Sequence, residues 1–290
     1  MKPIWIVEKD LWEREEELLF QLKWLGREFK LVSSDPYGNL TPDPEADIPW
    51  MEIGWENWPR LIPYGSVRMM ERWSARKRSS CFDLPPLSWE KYAPHWGQYL
   101  LNDDYYILPY GEVLRRSFEG LTKGLASASR IPGFGNAHEA VFIRPVSNNK
   151  IFSGRLFYRD TFAEEIRKMG YSFEVDLPAE MLVCIASQKK IVKEWRFFIF
   201  DGKVSCPTQY GPALLSDYLK GCSSPKAMDL AIKVAYDPFQ PLPSYTLDIA
   251  ELDDGRVKVV EIGAVNSSGF YGADIVEFIE GMEVAHGCKS

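Results

Sequence analysis

Residues 245–262 read YTLDIAELDDGRVKVVEI, two β-rich runs on either side of Asp254-Gly255. An Asp-Gly pair between alternating apolar residues signals a two-residue hairpin loop, because both residues tolerate positive φ. With Asp254 and Gly255 as the loop, Asp253 opposes Arg256 and the register follows. One face then pairs Glu251 with Lys258, Ile249 with Val260 and Leu247 with Ile262. The other pairs Leu252 with Val257, Ala250 with Val259, and Asp248 with Glu261. Directly opposed Cβ atoms lie roughly 4.5–5.5 Å apart, so two carboxylates face each other with no basic residue of the hairpin between them. Such a pair is destabilising unless both acids reach solvent at the open end or a cation is held there. A hard cation meets the second case, and Mg²⁺ accepts one or two carboxylates together with substrate phosphates.

At 290 residues the chain is long enough for two lobes. A net charge of −7 argues against bulk nucleic-acid binding, which needs a basic surface to neutralise phosphates. The five cysteines are scattered with no Cys-x-x-Cys, and only three histidines accompany them, so neither zinc nor a disulfide framework is expected. The apolar run after Met1 is too short for a signal peptide, and no segment approaches the ~18 apolar residues of a membrane span. A soluble, cytoplasmic protein without membrane partners is the expectation.

In chain order, Ile4 to Val7 reads as a buried strand. Asp10 and Glu13 stand as a capping pair for a helix whose Leu11, Leu18, Leu22 and Leu25 repeat at helical spacing, with Gly26 at its end and a second strand from Phe29 to Val32. This opens a β-α-β unit, without a glycine-rich phosphate fingerprint. Nine of the ten tryptophans fall in the first 96 residues, Trp50, Trp55 and Trp58 among them, a composition suited to packing a small lobe. Val67 to Arg78 reads as a helix with Arg68, Arg72 and Arg76 along one face. Trp89 to Leu101 reads as a helix broken at Pro94, and Gly124 to Gly135 as a mobile loop. Val141 to Phe157 makes a basic hairpin carrying Arg144, Lys150 and a Ser153-Gly154 turn, whose cations suit phosphate as a planar fork and a point charge. Met181 to Ala186 is a further buried strand. Glu194 to Val204 forms a second hairpin on Asp201-Gly202, and Arg196 within so apolar a strand requires an acid or a bound anion. Ile275 to Val284 reads as the closing helix.

That order of a basic hairpin, an apolar strand, a Glu-x-Arg strand and an Asp strand paired to a Glu strand resembles the ATP-grasp superfamily. Arg144-Pro145, Lys150-x-Phe152-x-Gly154, Glu194-Trp195-Arg196 and Glu261 followed by Asn266-Ser-Ser-Gly269-Phe-Tyr271 resemble a phage and bacterial clade in which arginine replaces the lysine of the usual Lys-Pro pair. The resemblance covers roughly residues 81–290. It implies an α+β, ATP-grasp fold of two subdomains clasping ATP (111–182 and 183–290), preceded by a small α/β-like lobe at 1–110. It implies that Arg144, Lys150, Ser153 and Gly154 bind nucleotide phosphates, that Val183, Cys184 and Ile185 offer backbone groups to adenine, and that Glu194 and Arg196 are catalytic, with Arg196 on the γ-phosphate or acyl-phosphate. Asp248, Glu261 and Asn266 would hold Mg²⁺, although Gly263 stands where many ATP-grasp enzymes have the asparagine of Glu-x-Asn. The implied activity is an ATP- and Mg²⁺-dependent carboxylate–amine ligase acting on small-molecule or peptide carboxylates and amines through an acyl-phosphate, with Asp248→Ala or Glu261→Ala abolishing turnover and sparing the fold. The alternatives are a non-catalytic ATP- or partner-binding protein, or a covalent nucleotidyltransferase using Lys150.

Overall fold

A computed structural model of the chain describes residues 2–9, 14–34, 40–42, 61–74, 87–128, 139–147, 151–171, 177–211, 219–222 and 224–287. Contacts divide it after Leu87 and after Lys190, so that residues 1–87 and 191–290 form one unit and 88–190 a second. The sequence division had cuts after 110 and 182 instead. Unit 1 begins with β1 (Ile4–Glu8), α1 (Glu15–Trp24), β2 (Glu28–Ser34), β3 (Leu40–Pro42), β4 (Leu61–Tyr64) and α2 (Val67–Ser74). Unit 2 holds α3 (Trp89–Trp96), β5 (Tyr106–Pro109), α4 (Tyr110–Val113), α5 (Phe118–Ala128), β6 (Ala140–Pro145), β7 (Arg155–Tyr158), α6 (Phe162–Tyr171) and β8 (Leu182–Ser187). Unit 1 resumes with β9 (Ile191–Phe200), β10 (Lys203–Gly211), β11 (Leu219–Lys220), α7 (Pro225–Ala235), β12 (Ser244–Leu252), β13 (Val257–Gly263) and α8 (Ile275–Ala285).

The expected β-α-β opening is present: β1 runs parallel to β2 on one side and to β4 on the other. Gly26, at φ +64°, ends α1 with its N–H on Lys23 O and that of Arg27 on Leu22 O, the paired bonds of a left-handed glycine cap. The start of α1 differs from the reading. Asp10 and Glu13 lie outside the described residues, and Arg14 occupies the N-cap position. Its guanidinium bonds Glu17 in the first turn and reaches the carbonyls of Tyr271 and Ala273 at 2.7 and 2.8 Å. Glu15, Glu16 and Glu17 in that turn suit the positive end of the helix.

The second sheet of unit 1 is antiparallel, in the order β11-β10-β9-β12-β13. Its two Asp-Gly hairpins are built differently. Asp201-Gly202 is a two-residue loop with φ of 48° and 78°, and Phe200 pairs with Lys203. At Asp254-Gly255 the Leu252 N–H bonds Arg256 O, so the loop has three residues and Gly255 takes the left-handed position at φ +77°. The expected pairs Glu251–Lys258, Ile249–Val260, Leu252–Val257 and Ala250–Val259 are therefore each displaced by one. Val259 faces Ile249, Lys258 faces Ala250 and Val257 faces Glu251. A bulge at Val260 then inserts one residue and restores the register, so Asp248 opposes Glu261 and Leu247 opposes Ile262.

Helix α8 carries the core of this unit. Ile275, Phe278, Ile279 and Met282 join Trp5, Val7, Ile62 and Tyr64 of the first sheet and Phe198 and Phe200 of the second in one buried cluster. Asp274 caps it, accepting the N–H groups of Val276 and Glu277 at 2.9 and 3.1 Å.

Unit 2 is built on an antiparallel sheet ordered β5-β8-β6-β7 with its own apolar core. Helix α3 continues through Pro94 to Trp96. Helix α5 continues through Gly124 to Ala128, so the first part of the expected loop is helical, and residues 129–138 lie outside the described residues. Gly124 is a packing glycine: a Cβ there would lie 2.8 Å from the Tyr106 ring. Of the amino-terminal tryptophans, Trp5, Trp89 and Trp96 are fully buried, while Trp50, Trp55 and Trp58 lie outside the described residues. No helix among the described residues is long and apolar enough to cross a membrane.

Gly281 sits inside α8, where alanine is ordinarily better by about 1 kcal/mol. Here a Cβ would drive into the Phe200 ring. Gly281→Ala should therefore destabilise the protein by about 1–3 kcal/mol in urea unfolding, and a stabilised variant would contradict this packing.

Candidate active site

Four residues stand side by side across the second sheet of unit 1. Thr208 of β10 opposes Arg196 of β9, Arg196 opposes Asp248 of β12, and Asp248 opposes Glu261 of β13. Directly opposed residues project to the same face. The partner that Arg196 requires is Asp248, held by two parallel bonds, Nε to Oδ1 at 2.8 Å and Nη2 to Oδ2 at 2.7 Å. Both are buried, at 6% and 3% exposure. Nη1 donates to Gly269 O at 3.2 Å, and the guanidinium carbon lies 4.7 Å from the Tyr271 ring centre and 5.6 Å from that of Tyr210. These two rings are stacked at 4.4 Å. Tyr210 occupies the irregularity between Gln209 and Gly211 in β10, and its hydroxyl donates to Glu194 Oε1 at 2.6 Å. Tyr271 holds its place at φ +50°, with its carbonyl taken by Arg14.

The electrostatics follow from burial and count. Burial opposes the charge of Arg196, and the adjacent Asp248 carboxylate outweighs it, holding the guanidinium firmly protonated. Burial pushes Glu194 up to about 7, and the charges of Asp248 and Glu261 add to that against the Tyr210 hydroxyl and Arg196. Burial also raises the Tyr210 hydroxyl, with Asp248 and Glu194 acting the same way. Three carboxylates thus share this neighbourhood with one guanidinium. A divalent cation with oxygen ligands balances that set, and each Asp248 oxygen keeps acceptor capacity beyond its one arginine bond. No group of three or more His, Cys, Asp or Glu side chains placed to hold a metal exists among the described residues.

Asn266 lies in a short 3-10 turn, Val265–Ser267, fully buried. Its Nδ2 donates to Pro63 O of β4 and its main-chain carbonyl accepts Gly65 N–H, while Oδ1 is buried with no partner among the described residues. These bonds tie the residue to the end of β4. Gly263, opposite Thr246, has a steric reason. A Cβ there would lie 2.7 Å from Thr246 Oγ1 and 3.3 Å from Ser268 Oγ, two hydroxyls 3.2 Å apart. An asparagine has no room beside that β-branched neighbour.

In unit 2, Arg144 is buried under the ring of Trp89, 5.3 Å from its centre, and Nε donates to Pro145 O at 3.4 Å. Gly154 packs on it: a Cβ there would lie 3.0 Å from Arg144 Cβ and collide with the Phe142 ring, so glycine is what lets the turn lie against Arg144. Ser153 is exposed beside it, and Lys150 lies outside the described residues. The expected adenine-facing segment needs correction. Val183, Cys184 and Ile185 pair with β5 on one side and β6 on the other, so both edges of the strand are occupied there. Strand β8 leaves β5 only beyond Ile185, and the chain passes to unit 1 after Lys190. Sequence reading also missed the buried ion pair between Lys189 and Asp104, in which Lys189 Nζ further donates to Ser187 Oγ at 2.8 Å. Extending the pairing of Tyr106 with Ile185 by two residues would have set Asp104 level with Ser187. Arg72 and Arg76 fall outside the residues whose side chains are described.

The sheet carries an arginine–aspartate–glutamate row, and a separate antiparallel α+β unit is inserted in the chain, an arrangement consistent with the ATP-grasp architecture. The chain belongs to that group: the ATP-grasp domain, R2K clade family 3, matches residues 119–281. Solved structures that share the fold include D-cycloserine synthetase DcsG, 14% identical with a TM-score of 0.63 over 99% of both chains. The D-alanine-D-alanine ligase from Coxiella burnetii is 12% identical with a TM-score of 0.57, covering 99% of this chain and 96% of that one. The D-alanyl-alanine synthetase A from Vibrio cholerae is 10% identical with a TM-score of 0.54, covering 99% and 94%. No curated protein matches the sequence.

The ion pair argues against one expectation from sequence, that Asp248→Ala spares the fold. Removing Asp248 takes both parallel bonds from the buried Arg196, an expected loss of about 3–5 kcal/mol. The double variant Arg196→Met/Asp248→Leu should recover most of that in urea unfolding, whereas a single variant as stable as wild type would show the pair to be solvated. Glu194 gives a pH signature in the metal-free protein. Its raised pKa means that the folded state holds the proton more tightly, so its stabilising contribution is full below about pH 4.5 and is lost as pH rises through about 7. Glu194→Gln should flatten that decline in unfolding free energy relative to wild type, and parallel curves would refute it.

Proposed function

We propose that this protein is an ATP- and Mg²⁺-dependent carboxylate–amine ligase working through an acyl-phosphate. The observation that carries the reading is the row of Arg196, Asp248 and Glu261 with Glu194 beside it, a buried aspartate and two half-buried glutamates around one fixed guanidinium. Membership of the ATP-grasp family supports it, as does the fold shared with a D-cycloserine synthetase and two D-alanine ligases.

Asp248 and Glu261 would hold the metal, with Asn266 Oδ1, which has no hydrogen-bond partner among the described residues, as a further oxygen donor. When bound, Mg²⁺ would neutralise charge on the transferring phosphate. Arg196 has two N–H groups left after its bonds to Asp248 and Gly269, and it offers them to the transferring phosphoryl group. Glu194, oriented by Tyr210, sits two residues along β9 on the same face and sets the charge beside the metal acids. In unit 2, Arg144 and Lys150 contact phosphates under the Ser153-Gly154 turn. Adenine meets the backbone of Gln188 to Lys190, because Val183 to Ile185 are occupied. A carboxylate oxygen of the acid substrate attacks the γ-phosphorus, the bond to the β-phosphate oxygen breaks and ADP leaves. The amine nitrogen then attacks the acyl carbon, loses a proton and expels phosphate. Such chemistry asks for positioning and charge rather than a protein nucleophile.

Glu261 is half-buried, and Glu261→Gln removes its charge while keeping its size, so it is the variant of choice. Its ADP release over a panel of acids and amines should fall on the order of 100-fold or more, with Mg²⁺-dependent ATP binding by calorimetry weakened in step. Wild-type turnover in the variant, or AMP in place of ADP as product, would overturn the assignment.

A further inference from the structure

Unit 2 contains a cavity of about 370 Å³ where the turn before α5 meets the first half of α6. Arg115, Arg116, Arg159 and Arg167 line it above the rings of Phe118 and Phe162. The surrounding acids account for only part of this charge. Arg116 is paired with Glu112, and Arg159 bonds Glu119 at 3.0 Å while its guanidinium lies 4.9 Å from the centre of the Phe118 ring. Glu164, on α6, is taken by Lys168, and Glu165 by Thr161. Arg115 and Arg167 are exposed and have no side-chain partner among the described residues. Four guanidiniums thus gather at one opening, two of them bonded to Glu112 and Glu119, in a chain whose total is −7. Guanidiniums gathered over an apolar floor offer an anion planar paired donors beside a surface for its body.

We propose that this cavity binds a small organic anion, a carboxylate or phosphate monoester carried on an aromatic or branched aliphatic body. The acidic group lies between the forks of Arg115 and Arg167, whose planar donors match two oxygens of either group. The body covers Phe118, Phe162 and Ile166. The volume falls toward the lower end of the roughly 300–1,000 Å³ typical of small-ligand sites, which fits one ring with its acid. None of the lining residues is Arg144, Ser153 or Gly154, nor any residue of the acid–arginine row, so the site is separate from the residues given to ATP and does not depend on the ligase reading.

Calorimetry and thermal shift on the full chain test it, with phenyl phosphate, phenylacetate, inorganic phosphate and benzyl alcohol as probes. Phenyl phosphate or phenylacetate should bind at least roughly tenfold more tightly than inorganic phosphate or benzyl alcohol, and the stronger of the two names the acidic group. Arg115→Ala/Arg167→Ala should weaken that binding by about tenfold or more, the worth of one or two charge-assisted bonds, while Arg144→Ala leaves it unchanged. The proposal is overturned if neither aromatic anion binds, if the double variant binds them as well as wild type does, or if Arg144→Ala abolishes the binding.

Discussion

The buried pair between Arg196 and Asp248 is the interaction that the sheet, the loop over it and the candidate site all depend on. Withdrawing both ions from water costs several kcal/mol for each, and only excellent geometry returns that cost. The geometry is supplied by distant parts of the chain: two parallel bonds from β9 to β12, a third from Arg196 to the carbonyl of Gly269, and the faces of Tyr210 and Tyr271. Each has its own local requirement, an irregularity in β10 for Tyr210 and a left-handed backbone for Tyr271. Apolar residues of similar volume would be about as stable in such a place. Stability alone is therefore a poor reason for keeping the pair.

The sequence made the architecture readable where the signal is local. Alternation, helical spacing and glycine at φ > 0 gave the β-α-β opening, both Asp-Gly hairpins and α8. The opposition of Asp248 to Glu261 was also reached, but through two errors that cancel. A loop of two residues and one of three with a left-handed glycine carry the same Asp-Gly signature, and nothing in the composition of β13 marks Val260 as extra. What resisted reading is non-local. Arg196 announced a need for an anion, yet which acid answers it is fixed by the pairing of β9 with β12, 52 positions apart in the chain. Strand β8 read correctly as buried, but its central place in the sheet, which occupies Val183 to Ile185, is a matter of topology. Gly124 was a loop signal by type and a helix–ring contact in fact.

The two basic regions of unit 2 differ in how they are prepared. Arg144 lies under Trp89 with Gly154 against its Cβ, so its direction is set before any ligand arrives and little side-chain entropy remains to be lost. Arg115 and Arg167 stand in solvent, and a ligand there has to order both. An arginine of the first kind suits a group that must be placed to within a fraction of an ångström, and one of the second suits capture.

The hairpin joining β12 and β13 also constrains how this chain can change length. Residues 253–255 of its loop and Val260 in the bulge stand outside the ladder, and the pairs on either side of them are fixed by the strands themselves. Losing one residue at the tip, or Val260 itself, would therefore leave Glu261 opposite Asp248. Length variation among descendants of this sequence is thus expected at the tip or at Val260, where the two acids are spared.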